Sequence, residues 1–386
     1  MVNKNTKTIF KNATAIIGDE MEVVKNIDIQ IIDGKITQIS KDIDITDTKI
    51  IDGERLILCP SFINAHLHLD DSAITDIGVG QSLEELVFPG GVREKITSVS
   101  KDDLKSSIKA SVHKIILGGT AVVCSFCESG VEGVKNVKES IDLDLKSILI
   151  GRFKSKFPYE SKVEDLLKVA DGFAPGFIKD ISEEDFKNLS QRILNSGGFV
   201  AMHSLESKNL PVENFYKAVD YLNPKFLVHL VQAGQKEIDY LVNKNIGVVC
   251  CQRGNSITGV GVPPILSLLE KGIVVALGTD NVFLNSTNMF REMEFTSRLL
   301  RGVSKNASAI DSKTVLKMAT INGAKVLGLD DNYGSISVGK KANIIAFSME
   351  SDSFFRSADV ISAIVHRAGT DDIREVYLKG KPYNSK

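Results

Sequence analysis

Short apolar segments alternate with longer amphipathic segments through the middle of the chain. The amphipathic segments repeat apolar residues at spacings of three and four, as Leu104, Ile108 and Val112 do within 101–117, which is typical of helices with one buried face. The apolar segments are short and rich in valine, isoleucine and leucine, which favours buried strands. Strands that alternate with helices in this way indicate parallel β-α-β units. We therefore predict an α/β fold with a parallel sheet.

Eight apolar segments have the length and composition of buried strands, and eight is the strand number of a (β/α)8 TIM barrel. The predicted strands are 56–63, 120–125, 147–150, 172–174, 199–202, 226–228, 247–250 and 273–277. The predicted helices between them are 101–117, 182–196, 212–222, 235–243 and 264–270. A doubly wound parallel sheet is the alternative arrangement.

The two ends of the chain have a different pattern, in which short β-branched runs are separated by turn residues. Asp33-Gly34-Lys35 lies between two such runs and predicts a tight hairpin. Similar short runs and turns follow Tyr333. We predict that residues 1–57 and 333–386 together form one small β-sandwich domain, and that residues 58–332 form the barrel.

Composition excludes some functions. The 386 residues include 47 Lys and Arg against 49 Asp and Glu, a formal net charge of -2, so there is no basic excess of the kind that binds nucleic acid or an anionic membrane. Five cysteines, an odd number, do not suggest a disulfide framework. The first residues lack the apolar core of a signal peptide, and no stretch has the length of a membrane span. We expect a soluble, cytoplasmic protein that acts on a small molecule, and a homo-oligomer is compatible with this composition.

Two histidines, His66 and His68, stand at the end of the first predicted barrel strand. Residues i and i+2 of a strand share one face, so both imidazoles can reach one point while Leu67 packs on the opposite face. Two converging imidazoles suit a divalent cation such as zinc. Two neighbouring core histidines would give the same pattern, so the interpretation depends on residues farther along the chain.

Other residues of the types that bind metals also follow predicted strands. His203, His229 and Asp280 each come directly or within a few residues after an apolar strand. In a barrel the reacting groups lie at the carboxyl ends of the strands, so these side chains are expected to meet His66 and His68. Four of the six histidines occupy such positions, which makes coincidence a poor explanation and predicts a metal site.

Glu206 lies three residues after His203, just beyond the same predicted strand. A glutamate in a loop is usually solvated. Beside a metal site it becomes a candidate proton carrier, because a water-poor cleft can raise the pKa of a carboxyl group towards the working pH. The two remaining histidines, His113 in a predicted helix and His366 in the C-terminal segment, are expected to have structural roles.

Together with further motifs, these residues resemble the amidohydrolase superfamily, and within it the cytosine-deaminase-like and chlorohydrolase-like branch. The motifs extend nearly from end to end of the chain. They are the opening hairpin, Pro60 to Asp70, Gly118-Gly119-Thr120, His203-Ser204-Leu205-Glu206, Val228-His229, Cys251-Gln252-Arg253-Gly254-Asn255, Ala276-Leu277-Gly278-Thr279-Asp280-Asn281, Ala319-Thr320-Ile321-Asn322-Gly323-Ala324, Gly334-Ser335-Ile336 and Gly339-Lys340-Lys341-Ala342-Asn343. This set is specific for the superfamily and much less so for the substrate.

The resemblance implies one divalent metal, held by His66, His68, His203 and Asp280 with water completing the site. Zinc is favoured, and iron or manganese is compatible with histidine and carboxylate ligands. The protein would then be a metal-dependent hydrolase, an aminohydrolase whose metal-bound hydroxide attacks an amidine-type carbon and releases ammonia. The substrate would be a nitrogen heterocycle, namely a nucleobase, a nucleoside or a related ring.

The same resemblance implies three catalytic roles. Asp280 would accept the proton of the metal-bound water. Glu206 would protonate a ring nitrogen of the substrate and then help to deliver a proton to the departing ammonia. His229 would stabilise the metal-bound oxygen in the tetrahedral intermediate.

Departures from the family pattern concern the substrate. Relatives that deaminate adenosine-type nucleosides carry a glutamate after a proline in the loop that follows the first strand, whereas residues 86–91 here read Leu-Val-Phe-Pro-Gly-Gly, which argues against a nucleoside. The first-strand motif followed by 93–95 looks closer to the nucleobase and triazine deaminases, although Asn281 stands where cytosine deaminases typically carry a second aspartate. Arg253, Asn255 and Asn281 lie on the predicted catalytic rim and are candidates for substrate contacts.

Two alternatives stay open at this point. A two-metal cyclic amide or imide hydrolase, similar to dihydroorotase or imidazolonepropionase, would need a carboxylated lysine at the end of the fourth strand. Lys179 is the nearest candidate, but it lies beyond the predicted strand 172–174. A non-catalytic scaffold on the same fold would typically have lost metal ligands, whereas this chain has all of those named above.

Overall fold

The structure, a computed structural model, describes residues 7–87, 90–96, 98–141, 144–153, 162–176, 182–208 and 212–383. The strands of these residues are β1 (Lys7–Ile17), β2 (Glu22–Ile32), β3 (Lys35–Ser40), β4 (Lys49–Asp52), β5 (Leu56–Pro60), β6 (Phe62–His68), β7 (Thr120–Cys127), β8 (Lys146–Gly151), β9 (Gly172–Phe173), β10 (Phe199–Ser204), β11 (Phe226–His229), β12 (Gly247–Cys250), β13 (Val275–Leu277), β14 (Asp280–Asn281), β15 (Ile344–Ser348), β16 (Ile373–Leu378) and β17 (Lys381–Pro382). The helices are α1 (Leu83–Val87), α2 (Val92–Ile96), α3 (Lys101–Leu117), α4 (Gly130–Ser140), α5 (Val163–Leu167), α6 (Glu183–Asn195), α7 (Val212–Leu222), α8 (Gln235–Val242), α9 (Gln252–Ile257), α10 (Ile265–Glu270), α11 (Met289–Ser304), α12 (Ser312–Met318), α13 (Ile321–Leu327) and α14 (Val360–His366). From β6 to β13 helices and strands alternate, as the apolar pattern predicted.

Nine strands form a parallel sheet in the order β13-β12-β11-β10-β9-β8-β7-β6-β14. The two ends of this order, β13 and β14, are consecutive pieces of one chain segment. Val275 of that segment pairs with Val248 of β12, and Asp280 pairs with Leu67 of β6. Every residue of β6, β7 and β11 is buried, as expected for strands that are covered on both faces. The predicted mixed α/β fold with a parallel sheet is confirmed.

Local sequence sets the ends of the helices. Ser182 precedes α6, and its side chain accepts a hydrogen bond from the backbone N–H of Asp185, which satisfies one amide group that the first turn leaves without a helical partner. Three acidic residues in that turn interact favourably with the helix dipole. The bounds predicted for 101–117 and 212–222 are those of α3 and α7.

The predicted first barrel strand, 56–63, is wrong in one respect, because the chain changes sheets within it. Strand β5 pairs antiparallel with β15 up to Pro60. At Phe62 the backbone N–H donates instead to the carbonyl of Gly119, which precedes β7. Both sides of the break are apolar and buried, so the hydrophobic pattern alone does not reveal that one strand ends and another begins.

Strands from both ends of the chain form a second sheet, with the order β17-β16-β15-β5-β1-β2-β3 and with β4 paired to β1. Strand β1 continues through 7–17 with an irregularity in its pairing near Asn12. The backbone N–H of Asn12 donates to the carboxylate of Asp28 at 2.9 Å. The predicted hairpin turn is confirmed, since Asp33 and Gly34 both have positive φ, 51° and 80°, as a tight hairpin requires.

The described chain divides into two compact units. One comprises the described parts of Met1–Ile63, His113–Ala121 and Asn288–Lys386, and the other comprises those of Asn64–Val112 and Val122–Thr287. Every predicted metal, catalytic and substrate residue belongs to the second unit. The domain boundaries expected from the sequence stay a prediction. Among the described helices, none is both long and apolar enough to cross a membrane.

Candidate metal and proton-transfer site

His66 and His68 lie near the carboxyl end of β6, two residues apart in a strand that is buried throughout. The Nε2 atoms of both imidazoles face the same oxygen, Oδ1 of Asp280, at 3.3 Å from His66 and 3.7 Å from His68. Asp280 is supplied by β14, the strand that pairs with β6. Pairing of the sheet thus brings together three residues from distant parts of the chain.

His203 and His229 join this group from the two neighbouring strands β10 and β11. The strands pair so that Ser204 lies opposite His229, which places the two histidines about one residue apart along the sheet. Their ring centroids are 5.3 Å apart, and the ring of His66 lies 4.9 Å from His203 and 5.7 Å from His229. The three imidazoles therefore surround a common point at the carboxyl ends of the strands.

Three overlapping groups of residues have side-chain nitrogen or carboxylate oxygen atoms within 4.8 Å of one another. They are His66, His68 and Asp280; His66, His203 and His229; and Glu206, His229 and Asp280. Because the groups share members, they make up one cluster, which we call the histidine–carboxylate cluster. It contains every residue that the sequence predicted as a metal ligand or proton carrier.

Burial determines the charge of these imidazoles. Loss of hydration lowers the pKa of His66 and lowers the pKa values of His68 and His203 well below the ordinary value, because an imidazolium ion without solvent is unfavourable. The rings are therefore neutral near pH 7. Neutral imidazole is the form that coordinates a metal ion.

Several nitrogen atoms of the cluster are buried and have no hydrogen-bond partner within the described part of the chain. They are both ring nitrogens of His66, Nδ1 of His203 and Nε2 of His229. An unsatisfied buried polar atom costs about 1–3 kcal/mol, so several in one place indicate a ligand. Imidazole nitrogens beside a carboxylate are a donor set that zinc binds. The residues present therefore fit a divalent cation.

Asp280 is held in place from two sides. Its Oδ2 accepts a hydrogen bond from Nδ2 of Asn281 at 3.1 Å, and α9 passes so close that a Cβ atom on Gly254 would lie 2.7 Å from the same oxygen. Burial acts to raise the pKa of Asp280, but the contact with His66 and nearby positive groups outweigh it and hold the pKa below its ordinary value. The carboxylate is therefore ionised and has little freedom to move.

Glu206 and His229 form a buried pair. Oε1 of Glu206 lies 3.6 Å from Nε2 of His229, and the Glu206 side chain is only 13% exposed. Burial raises the pKa of Glu206, although the interaction with His229 opposes the shift. On the other side of the ring, Nδ1 of His229 lies 2.9 Å from Oδ1 of Asn255. A carbonyl oxygen only accepts, so Nδ1 carries a proton, and Nε2 is the atom through which His229 acts.

Strained backbone conformations also occur at these strand ends. Leu205, His229, Leu230 and Asp280 have φ values of 48°, 77°, 52° and 62°. A left-handed conformation at a residue other than glycine costs on the order of 1–3 kcal/mol and persists only where the surrounding structure imposes it. The rest of the fold therefore holds the chain in sharp turns at the residues that carry the cluster.

The three predicted substrate contacts have hydrogen-bond partners within the protein. The guanidinium of Arg253 donates to the backbone carbonyl of Ser286 at 3.0 Å and to its hydroxyl at 3.2 Å. Asn255 and Asn281 each face a residue of the histidine–carboxylate cluster, as described above. Both asparagines are therefore placed to orient that cluster, and contact of all three residues with a substrate stays a prediction.

A buried group of charges that the sequence analysis missed lies beside His68. We call it the ionic cluster, and it consists of Asp70, Asp71, Arg93, Glu128 and Arg152. Both oxygens of Asp71 accept hydrogen bonds of 2.9 Å from Arg93. Oε1 of Glu128 lies 3.1 Å from Nη1 of Arg93 and 3.4 Å from Nη1 of Arg152. None of these four side chains is more than 16% exposed.

Charges in the ionic cluster are nearly balanced. Burial raises the pKa of Asp70 to about 6 and that of Asp71 to about 8, although Arg93 opposes both shifts. Two guanidinium groups and three carboxyl groups balance when one proton is shared among the acids, so the titration belongs to the whole cluster. The sequence did hold a signal, because Glu128 directly follows β7 and Arg152 directly follows β8.

The remaining histidines lie outside the cluster. Nδ1 of His113 is 2.7 Å from the hydroxyl of Tyr383, and Nε2 of His366 is 3.3 Å from the hydroxyl of Ser312. Both contacts suit the structural roles that were expected. Lys179, on which the cyclic amide alternative depends, lies outside the described residues, as do positions 88–89 of the loop that argued against a nucleoside.

A cleft of about 560 Å³ opens at the strand ends next to the histidine–carboxylate cluster. It is lined by residues 82–84, 207–208, 231–232 and 258–262. Ser207 directly follows Glu206, and Val231 comes two residues after His229, so the cleft lies close to both. Its lining is mixed, with apolar valine and leucine side chains beside serine, glutamate, glutamine and threonine.

The fold and the cluster together define an α/β protein with a hydrolase-type site at the carboxyl ends of its strands. The sequence profile of the Amidohydrolase family matches residues 57–383, which is most of the chain. The chain therefore belongs to the amidohydrolase family, as its motifs indicated. It is a hydrolase that acts on carbon–nitrogen bonds other than peptide bonds.

Similar proteins are named as deaminases of adenosine derivatives. The chain is 29% identical over 406 residues to the 5-methylthioadenosine/S-adenosylhomocysteine deaminase of Thermoanaerobacter pseudethanolicus, and the match covers 97% of this chain and 92% of that protein. It is 28% identical over 406 residues to the 5'-deoxyadenosine deaminase of Methanosarcina acetivorans, covering 97% and 91%. Among solved structures, an adenosine deaminase from Xanthomonas campestris with bound zinc superposes with a TM-score of 0.84 at 18% identity, covering 98% of this chain and 92% of that one.

Proposed function

We propose that this protein is a metal-dependent aminohydrolase that removes an amino group from a nitrogen heterocycle. The observation that carries the proposal is the histidine–carboxylate cluster, in which neutral imidazoles, an ionised Asp280 and the high-pKa Glu206 lie within reach of one another. Hydrolytic deamination needs a group that activates a water molecule, an acid for the ring nitrogen and a proton for the departing ammonia. The cluster supplies a group for each of these tasks.

We assign the metal ligands to His66, His68, His203 and Asp280. The unsatisfied buried nitrogens of His66 and His203 support this assignment. Zinc is favoured because it accepts this mixture of nitrogen and oxygen donors and because the similar adenosine deaminase contains zinc, while iron and manganese are chemically compatible. A cation bound here would act as a Lewis acid and lower the pKa of a coordinated water.

Two carboxyl groups and one imidazole would then move the protons. Asp280 is ionised, so it can accept a proton from the attacking water. Glu206 keeps its proton at higher pH than an exposed glutamate because it is buried, so it can protonate the ring nitrogen and afterwards carry a proton to ammonia. Nε2 of His229 is directed into the site by Asn255, and with a proton it would stabilise negative charge that develops on the oxygen.

For the substrate we propose an adenine nucleoside that is modified at its 5' position. The relatives named above support this class, whereas the loop after the first strand favoured a nucleobase or a triazine. The cleft beside Glu206 has the volume of a typical small-molecule site. Its polar residues, such as Glu84 and Gln232, suit ribose hydroxyls, and its apolar residues, such as Val231, suit a hydrophobic 5' substituent.

We also propose the finer architecture that the sequence predicted. A closed (β/α)8 barrel is supported because one segment, 275–281, supplies both ends of the parallel sheet. A β-sandwich of residues 1–57 and 333–386 is supported because β1 pairs with β4 along its first half and with β5 along its second half, so that one bent strand would serve two layers. The barrel domain would be 58–332.

Ammonia release by the zinc-loaded protein tests the deaminase proposal. The panel should contain adenosine, 5'-deoxyadenosine, 5-methylthioadenosine and S-adenosylhomocysteine, with adenine, guanine, cytosine and a triazine for comparison. We expect the 5'-modified nucleosides to react with the highest kcat/KM. Activity on free bases alone would contradict the nucleoside assignment, and no ammonia from any compound with zinc bound would contradict deamination.

The role of Glu206 is tested by Glu206→Gln, which keeps the shape of the side chain and removes the acid. We expect kcat to fall about 10²- to 10⁴-fold while the protein still binds one zinc per chain. Glu294→Gln is the matched control, because Glu294 lies on α11 and forms an ion pair of 2.8 Å with Arg298 one turn along the same helix. An unchanged rate for Glu206→Gln would remove Glu206 from the mechanism.

A further inference from the structure

We propose that Glu128 is the positioning residue for His68 when metal is bound, and that Arg93 competes with the metal for His68 when it is not. Arg93 and Glu128 belong to the ionic cluster and neither was assigned a role above. The inference rests on the proposed function in one respect, which is that it takes His68 as a metal ligand through Nε2.

The contact between Arg93 and His68 fixes which nitrogen of the imidazole carries the proton. Nη2 of Arg93 lies 2.8 Å from Nδ1 of His68. A guanidinium has N–H donors and no acceptor, so Nδ1 must offer its lone pair. An imidazole whose Nδ1 offers its lone pair carries its proton on Nε2, the atom that faces Asp280 at 3.7 Å.

This tautomer is incompatible with metal binding through Nε2, since coordination requires the lone pair of that nitrogen. For His68 to coordinate, its proton must be transferred to Nδ1. Arg93 can then no longer donate to Nδ1, and Nδ1–H requires an acceptor of its own. Metal-binding histidines usually donate this second N–H to a carboxylate, a backbone carbonyl or water, which orients the ring and increases its basicity.

Glu128 is placed to be that acceptor. Its Oε1 lies 3.8 Å from Nδ1 of His68, so a small rearrangement that moves Nη2 of Arg93 away would bring the two atoms within hydrogen-bond distance. The backbone of Glu128 is fixed, because its N–H donates to Asp70 at 2.6 Å and a Cβ atom on Gly133 of α4 would overlap its carbonyl. Arg152 contacts the same Oε1 at 3.4 Å, which favours a negative charge on this carboxylate.

Arg93 has an alternative partner in the metal-loaded protein. Its Nε donates to Oδ1 of Asp71, and its Nη2, the atom that contacts His68, also donates to Oδ2. Arg93 can therefore give up the contact with His68 and stay paired with this buried carboxyl group through Nε. The ionic cluster would therefore have two arrangements. In one, Arg93 holds the tautomer of His68 that excludes the metal, and in the other, Glu128 holds the tautomer that binds it.

Two substitutions should change zinc affinity in opposite directions. Glu128→Gln weakens the acceptor of Nδ1–H in the loaded protein, and we expect the Kd for zinc to rise about 10- to 100-fold. Arg93→Met keeps the length of the side chain and removes the competing donor, and we expect the Kd to fall about 10-fold, the size of one hydrogen bond to a charged group. If both residues merely supported the fold, both variants would bind zinc more weakly.

Zinc affinities can be measured by competition with a chromophoric chelator, with Lys101→Met as control, because Lys101 forms an exposed ion pair with Glu132 at 2.6 Å. A fall in affinity in both Glu128→Gln and Arg93→Met, or no change in Glu128→Gln, would overturn the proposal. Wild-type protein that binds no zinc at all would instead overturn the proposed function, so the two failures are distinguishable.

A second measurement reads the tautomer of His68 directly in the wild-type protein. Nitrogen-15 NMR of protein labelled only at its six histidines distinguishes the two neutral tautomers by the shifts of their ring nitrogens. We expect His68, assigned in the metal-free protein by its loss in His68→Gln, to carry its proton on Nε2 before zinc is added. After zinc is added, a signal for Nδ1–H should replace it. His68 protonated at Nδ1 in the metal-free protein would overturn the role of Arg93.

Discussion

Replacing Gly254 by alanine should disable the site through a single methyl group. Gly254 lies in α9, and its missing side chain leaves the space that the Asp280 carboxylate occupies. A Cβ atom there would lie 2.7 Å from Oδ2 and 3.0 Å from Cβ of Asp280. Asp280 cannot easily retreat, because its other neighbours include Asn281 at 3.1 Å and its backbone is already in a left-handed conformation.

The size of the effect follows from the overlap. Ordinary van der Waals contact begins near 3.4 Å, so the carboxylate must move by about 0.7 Å, more than the ~0.5 Å within which a catalytic group is held. A misplacement on the order of 1 Å costs about 100-fold in rate. Alanine favours a helix over glycine by about 1 kcal/mol, while overpacking costs ~1–3 kcal/mol. Activity should therefore fall about 100-fold while stability changes by less than ~2 kcal/mol.

The assay combines kcat/KM for ammonia release with zinc content and the free energy of unfolding in urea. Gly302→Ala is the matched control, because Gly302 also lies in a helix, α11, and a Cβ atom there has no neighbour within 4 Å. That control should keep full activity and gain a little stability. Gly254→Ala with wild-type activity would refute the claim that Asp280 must stay where the structure places it, and equal losses in both variants would point to a general effect on helices.

Three further outcomes are expected. Asn255→Ala removes the acceptor for Nδ1–H of His229, so kcat should fall about 10- to 100-fold with KM nearly unchanged, and an unchanged kcat in steady-state kinetics would exclude this orienting role. Because burial raises the pKa of Glu206, kcat should fall as pH rises through that raised pKa, whereas the residual rate of Glu206→Gln should lack this limb. The pKa of Asp71 is raised from 3.8 to about 8 in the folded protein, so between these pH values the folded state binds more protons than the unfolded state. The free energy of unfolding should therefore fall as pH rises through this range, and urea titrations of metal-free Asp71→Asn should show a smaller decline.

Most of the predictions about the fold came from the local spacing of apolar residues along the chain. Strand and helix alternation depends on which residues of a short window are apolar, and this is why the bounds of α3 and α7 were correct. The meeting of the residues in the histidine–carboxylate cluster was predictable for a related reason, because carboxyl ends of parallel strands meet at one edge. Once the strands that carry His203 and His229 were recognised, the two histidines could be expected to lie close together.

Features that depend on pairing between distant segments were missed. The apolar pattern shows that 56–63 is buried, but not that the chain leaves one sheet at Pro60 and enters another at Phe62. The ionic cluster was missed because its charges look like solvated residues until the neighbouring strands β7 and β8 bring Glu128 beside Arg152. The orienting roles of the site asparagines depend on which polar atom each one faces, and no spacing in the sequence reveals that.

The placement of Asp280 in the segment that pairs with both β12 and β6 has a consequence for durability. A cation bound by both His66 and Asp280 would link β6 and β14, which are the first and the last strand of the parallel sheet along the chain. Ligand that binds only the folded chain adds stability by mass action, about 4 kcal/mol when it is present at a thousand times its Kd. The temperature at which the protein unfolds would then depend on the concentration of metal around it. Depletion of that metal would destabilise the enzyme as well as abolish its activity.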